Sequence, residues 1–150
     1  MIVFDTNVLS EPLKSQPNAE VLQWIVATDE AATTAVSVGE LLVGVRRLSA
    51  GRRREGLQAA IEQTLTSFSD TILPYDEAVA RSYAELQERR RSVGAPLRVE
   101  DGMIAAICVC RSLRLATRNI RDFQGLGLDL INPWEAGARK SPVSDVDPSP

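Results

Sequence analysis

The chain opens Met1-Ile-Val-Phe-Asp5-Thr-Asn-Val-Leu-Ser-Glu-Pro-Leu13. Three consecutive apolar residues, Ile2, Val3 and Phe4, end at a carboxylate and a polar turn. So short and unbroken an apolar run suits a strand covered on both faces, as in parallel sheets. In open parallel sheets, ligands bind beyond the carboxyl ends of strands, which puts Asp5 where a site forms. Its other use is as the N-cap of the turn that follows.

Further such runs follow. A threonine-rich stretch over 31–36 predicts a second strand, TILPYD over 71–76 a third, LRLAT over 113–117 a fourth and LDLIN over 128–132 a fifth. Helical spacing fills the gaps. It is carried by Val21, Leu22, Ile25 and Val26 over 18–27, then by Val38, Leu41, Leu42, Val45 and Leu48 from Ser37, with Gly51 as a stop. It returns in Leu57, Ile61, Leu65 and Phe68 over 53–68, and in Val79, Tyr83, Leu86 and Val93 over 77–93, ended by Gly94 and Pro96. After Asp101, GMIAAICVC is apolar nearly all round and predicts a buried helix. Strands alternating with helices imply right-handed crossovers and a parallel sheet, hence the α/β class. From Arg139, RKSPVSDVDPSP has no periodicity and a composition that predicts disorder. One folded domain over 1–138 and a tail over 139–150 are expected.

At 150 residues with 44% apolar content, one core needs no disulfide support. No 18-residue apolar run exists, so no membrane helix is expected. The start lacks a basic region and a cleavage site, which leads us to expect a cytoplasmic protein. Cys108 and Cys110, two apart on a helix, point about 200° away from each other, so they neither share a metal nor pair. Buried free thiols are expected there. With no histidine in the chain, Ser–His–Asp, Cys–His and His-zinc chemistry is excluded. Phosphate-cradling glycine loops are also absent.

The net charge of −3 does not announce a nucleic-acid partner. Yet the cations are 15 arginines against only Lys14 and Lys140, clustered at Arg46, Arg47, Arg52, Arg53 and Arg54 and at Arg89, Arg90 and Arg91. Arginine forks suit phosphate, although a solvated helix face is the plainer explanation of any one run.

Four acids stand at the edges of hydrophobic segments: Asp5, Glu40 in AVSVGELLVGV, Asp101 in RVEDGMIAAI and Asp122 in LATRNIRDF. Each has a structural alternative. Ser37-Val-Gly-Glu40 matches a capping box. Asp101 would favour the dipole of the helix it begins, although neighbouring Glu100 could do so instead. Asp122 could be a loop or short-helix acid. Gathered in one cleft, the four would repel one another, and a hard divalent cation is the natural compensator.

With those segments in view, the chain resembles the PIN-domain ribonucleases, specifically the VapC-type toxins of bacterial toxin–antitoxin pairs, including the FitB-like branch. The resemblance runs from Met1 to about Trp134. Its carriers are IVFDTNVLSEPL, SVGELLVGV, DGMIAAI with the upstream Gly94-Ala-Pro, LATRNIRDF and INPWE. It implies a three-layer sandwich with a central five-stranded parallel sheet, and RNA cleavage dependent on Mg²⁺ or Mn²⁺. It assigns metal binding and catalysis to Asp5, Glu40, Asp101 and Asp122, with Asn7, Thr117 and Asn119 as polar support. It also implies a homodimer restrained by a VapB-type antitoxin in the catalytic groove, possible as a dimer of heterodimers on operator DNA. Arg46, Arg47, Arg52, Arg53, Arg89 and Arg90 are the candidate RNA contacts.

Two other classes fit the residues less well. A haloacid-dehalogenase-like phosphatase would use Asp5 as nucleophile, but wants D-x-D and a lysine at a later strand end. Here the pattern is Asp5-Thr-Asn7 and both lysines lie elsewhere. A non-catalytic, receiver-like Mg²⁺-binding domain could use Asp76, but the same lysine is missing.

Overall fold

The computed structural model describes residues 1–135. The stretch over 139–150, expected to be a disordered tail, lies outside the described residues.

Five short strands form one sheet: β1 (Ile2–Phe4), β2 (Ala31–Thr34), β3 (Ile72–Leu73), β4 (Arg114–Ala116) and β5 (Leu130–Ile131). Their order is β3-β2-β1-β4-β5 and every neighbouring pair is parallel. The chain builds outward from β1 to β3, then crosses back to lay β4 against the other edge of β1. That reversal opens a crevice between the carboxyl ends of β1 and β4, where ligands of open α/β sheets bind.

Among the described residues, seven helices flank the sheet: α1 (Thr6–Ser10), α2 (Ala19–Val26), α3 (Ala35–Arg46), α4 (Arg52–Ser67), α5 (Glu77–Ser92), α6 (Val99–Cys110) and α7 (Ile120–Phe123). A 3₁₀ turn, Glu11–Leu13, follows α1. Alternating side chains of β1 feed two cores, as a period of two requires. Val3 packs with Val79, Leu86, Ile104, Ile107 and Leu115 on the α5–α6 face. Phe4 packs with Val8, Leu41, Val45, Ile61 and Leu65 on the α3–α4 face. The Phe4 ring also meets Trp24 at 5.4 Å and Phe68 at 6.0 Å. Helices on both faces of a parallel sheet make the expected three layers.

α6 is buried as its composition predicts, with Ile104 to Cys108 fully enclosed. Gly102 lets it approach α5 closely, since a Cβ there would stand 2.8 Å from Cε2 of Tyr83.

Several expectations need correction. The second strand stops at Thr34, two residues early, because the Thr34 hydroxyl accepts from the Ser37 amide at 3.0 Å and starts α3 at Ala35. Ser37 is therefore not a cap and the Ser37–Glu40 capping box does not form; Glu40 lies in the second turn. The third strand shrinks to two residues. A five-residue helix follows β1 directly, too short for periodicity to show. Cys108 is buried, but Cys110 is exposed, so only one thiol is enclosed.

Candidate active site

Asp5 leaves β1 and caps α1, so its alternative use is real. It is only 4% exposed, and three donors fix its carboxylate. Oδ1 accepts from the Thr6 amide at 2.7 Å, while Oδ2 accepts from Asn7 Nδ2 at 2.6 Å and from Thr117 Oγ1 at 2.7 Å. Burial nevertheless raises its pKa: the three hydrogen bonds oppose the larger desolvation cost, and the nearby Asp122 charge adds to it.

Asn7 ties the two strand ends together. Its Nδ2 also reaches Thr117 Oγ1 at 3.3 Å, and its Oδ1 accepts from the Arg118 amide at 3.0 Å. Thr117 continues the β4 ladder, its amide donating to Ile131 O at 2.9 Å, and its hydroxyl accepts from the Asn119 amide at 3.0 Å. Asn7 and Thr117 thus stand at Asp5 itself. Asn119 meets Thr117 only through its backbone, and its side chain does not cap α7.

Glu40 comes from α3 and accepts from Thr6 Oγ1 at 2.5 Å. Burial raises its pKa, the Thr6 bond opposes this, and Asp5 and Glu100 add repulsion. Asp101, in the first turn of α6, is pushed up to about 6. Desolvation leads, Arg98 opposes it, and Asp5, Asp122 and Glu40 repel it. Asp122 lies in α7, its amide held by Asn119 O at 3.1 Å. Asp5 and Asp101 therefore each lie within electrostatic reach of the other three acids, while Glu100 bears on Glu40.

Could these residues hold a divalent metal? The donor set is all oxygen, as hard cations prefer. Among the described residues, the nearby cation in direct contact is Arg98, whose Nε stands 3.8 Å from Asp101 Oδ2 on a side chain 76% exposed. A surface guanidinium at that distance compensates little. Among the described residues no three acids already form a closed metal cage. Asp5 and Glu40 are instead held on neutral donors. The donor type, all oxygen, is the one Mg²⁺ and Mn²⁺ accept.

Thr6 and Arg98 escaped the sequence reading. The D-T-N triplet and the three-residue spacing of Arg98 and Asp101 were the available signals. The arginine runs lie at helix ends: Arg46 and Arg47 close α3, Arg52 and Arg53 open α4, and Arg89 closes α5, all exposed. Arg90 is a strut, with Nε donating to Ala95 O at 2.8 Å and Nη1 to Gln124 O at 3.0 Å. The arginines beside the acids are Arg98 and, next to Asp122, Arg118 and Arg121. Nothing here favours a phosphatase: Asn7 fills the second acidic position and Lys14 is paired with buried Glu11.

The PIN domain pattern matches residues 2–127. This chain belongs to the PIN-domain family. Its PIN fold is 38% identical over 137 residues to Toxin FitB of Neisseria gonorrhoeae, covering 89% of this chain and 99% of that protein. It is 40% identical to VapC ribonuclease Y4jK of Sinorhizobium fredii, over 90% and 99% of the two chains. The crystal structure of FitAcB from Neisseria gonorrhoeae superposes with a TM-score of 0.84 at 38% identity, over 89% of this chain and 99% of that chain. No helix among the described residues of the PIN domain is long and apolar enough to cross a membrane.

Proposed function

We propose that this PIN domain is an endoribonuclease dependent on Mg²⁺ or Mn²⁺, and the toxin of a VapBC-type toxin–antitoxin pair. One observation carries the reading: Asp5, buried at the sheet's crevice, shares its field with Glu40, Asp101 and Asp122, and among the described residues no buried cation balances them. The names of the relatives, a VapC ribonuclease and a Toxin FitB, support it.

Asp5, Glu40 and Asp101 would hold the principal ion, with Asp122 completing a second or transient site. When bound, the ion would neutralise phosphate charge and lower the pKa of a water positioned for in-line attack. The protein's own groups prepare the site. Thr6, Asn7 and Thr117 orient Asp5 and leave it no freedom to turn away. Thr6 anchors Glu40 by one oxygen, which leaves the other for a ligand. Arg98, exposed at the rim, is placed to meet a phosphate. No side chain is needed as a dedicated general base, in keeping with a chain that has no histidine.

The partners follow from the same kinship. A solved relative at 36% identity is FitAB bound to an IR36 DNA fragment, with a TM-score of 0.84. We assign this chain a VapB-type antitoxin, a homodimeric toxin and assembly of both proteins on operator DNA. The functional unit is taken as residues 1–138.

Incubating the purified protein with total RNA, with Mn²⁺ and then with excess chelator, tests the activity. Discrete fragments that vanish on chelation are expected; fragments indifferent to chelator, or none with either ion, overturn it.

A further inference from the structure

Beside Asp122, α7 and the turn after β5 border an open cavity of about 500 Å³, within the usual size range of small-ligand sites. Its walls include Arg118, Asn119, Arg121, Asp122, Gln124 and Asn132. Two arginines, three amides and two carboxylates, Asp122 and Glu135, make it a polar site with Ile120 as its apolar member. Amides pair with the edges of nucleobases and arginine forks with phosphate.

Three features give it the build of a nucleotide site. Asp122 belongs to both places, since it lines the cavity and its charge is felt by Asp5 and Asp101. A phosphodiester over the acids would therefore have its next nucleotide at this cavity. Secondly, among the described residues the side-chain amides of Asn119 and Gln124 make no hydrogen bond, and Asn119 leaves its capping position unused. Among the described residues Asn132 uses only Oδ1, on the Trp134 amide at 3.1 Å, and its Nδ2 makes no hydrogen bond. Thirdly, Arg118 is held against the Trp134 ring, 5.5 Å from its centroid. That fixes a planar cation at the cavity wall, and unpaired bases stack on such planes.

We propose that this cavity is a nucleotide subsite that seats the ribonucleotide next to the bond being cut. Its amides set base preference there, and Arg121 holds the flanking phosphate. The role in cleavage rests on the ribonuclease reading above; the binding does not.

Calorimetric titration with each of the four nucleoside 5′-monophosphates, in chelator, tests binding apart from catalysis. At least one should bind the full-length protein. Gln124→Ala and Arg121→Gln, both at exposed positions, should weaken it about tenfold, the size of one lost base or phosphate contact. Asp5→Asn should bind as the parent does, although it is expected to lose cleavage. Binding by none of the four, or equal binding by parent, Gln124→Ala and Arg121→Gln, overturns the subsite whatever the activity. Binding without RNA cleavage by the parent keeps the subsite and refutes the ribonuclease instead. If the parent cleaves RNA, sequencing its ends should show a base preference that Gln124→Ala relaxes; an unchanged preference removes the specificity role.

Discussion

Thr6 supports two acids at once, with its amide on Asp5 and its hydroxyl on Glu40. Groups that orient metal ligands typically contribute 10–100-fold to metal affinity. Thr6→Val should therefore weaken Mn²⁺ binding by about 10–100-fold in calorimetry, while Thr6→Ser restores it. Equal affinity in Thr6→Val would reduce the hydroxyl to packing. Asp5 was legible because an apolar run stops on it. The Thr6–Glu40 bond was not: its partners are 34 residues apart and meet only when α1 and α3 are seated on the sheet.

Asp101 makes a pH claim with a definite sign. Its folded pKa, about 6, lies above the ordinary 3.8, so the fold penalises the ionised form. The penalty is full above about 6 and is relieved as pH falls toward 3.8. In chelator, Asp101→Asn should raise the melting temperature at pH 7.5 by about 2–4 °C, the response of a domain this size to 1 kcal/mol. The gain should shrink at pH 5. A lower melting temperature for the variant at pH 7.5 would contradict the assignment of strain to this carboxylate.

At the scale of elements, caps decide more than patterns do. Thr34 and Ser37 are both good N-cap residues, and β-branched Val36 extends the apparent strand, so the start of α3 could not be settled by composition. The buried Thr34 hydroxyl settles it. Thr34→Ala should cost about 0.5–2 kcal/mol by denaturant titration, whereas Ser37→Ala should cost less than that if Thr34 is the cap. Long helices were legible because their stripes repeat over several turns; α1, with five residues, has no stripe to read. Gly102 marks where α6 meets α5. Gly102→Ala should destabilise by about 1–3 kcal/mol through the clash with Tyr83. A stabilised variant would show that the ring moves aside freely.

The whole molecule adds what no segment contains. Strand order places β1 and β4 side by side, which brings Asp5 to Thr117 across 112 residues and lines α6 and α7 around them. The acids could be nominated one by one from hydrophobic boundaries, but only the crossover makes them neighbours. Among the arginines, Arg90 braces backbone carbonyls, while Arg98 stands beside Asp101 and Arg118 and Arg121 stand beside Asp122. These last three are separated from the conspicuous runs in sequence and reach the acids through topology.

The central claim is that this acidic crevice cuts RNA through a divalent ion. Its most direct test is single-turnover cleavage of RNA in saturating Mn²⁺ by the parent and by Asp5→Asn, which keeps the shape of the side chain and removes its charge. The account predicts cleavage by the parent and none above background by Asp5→Asn, with both proteins folded by circular dichroism. Undiminished cleavage by Asp5→Asn would contradict it.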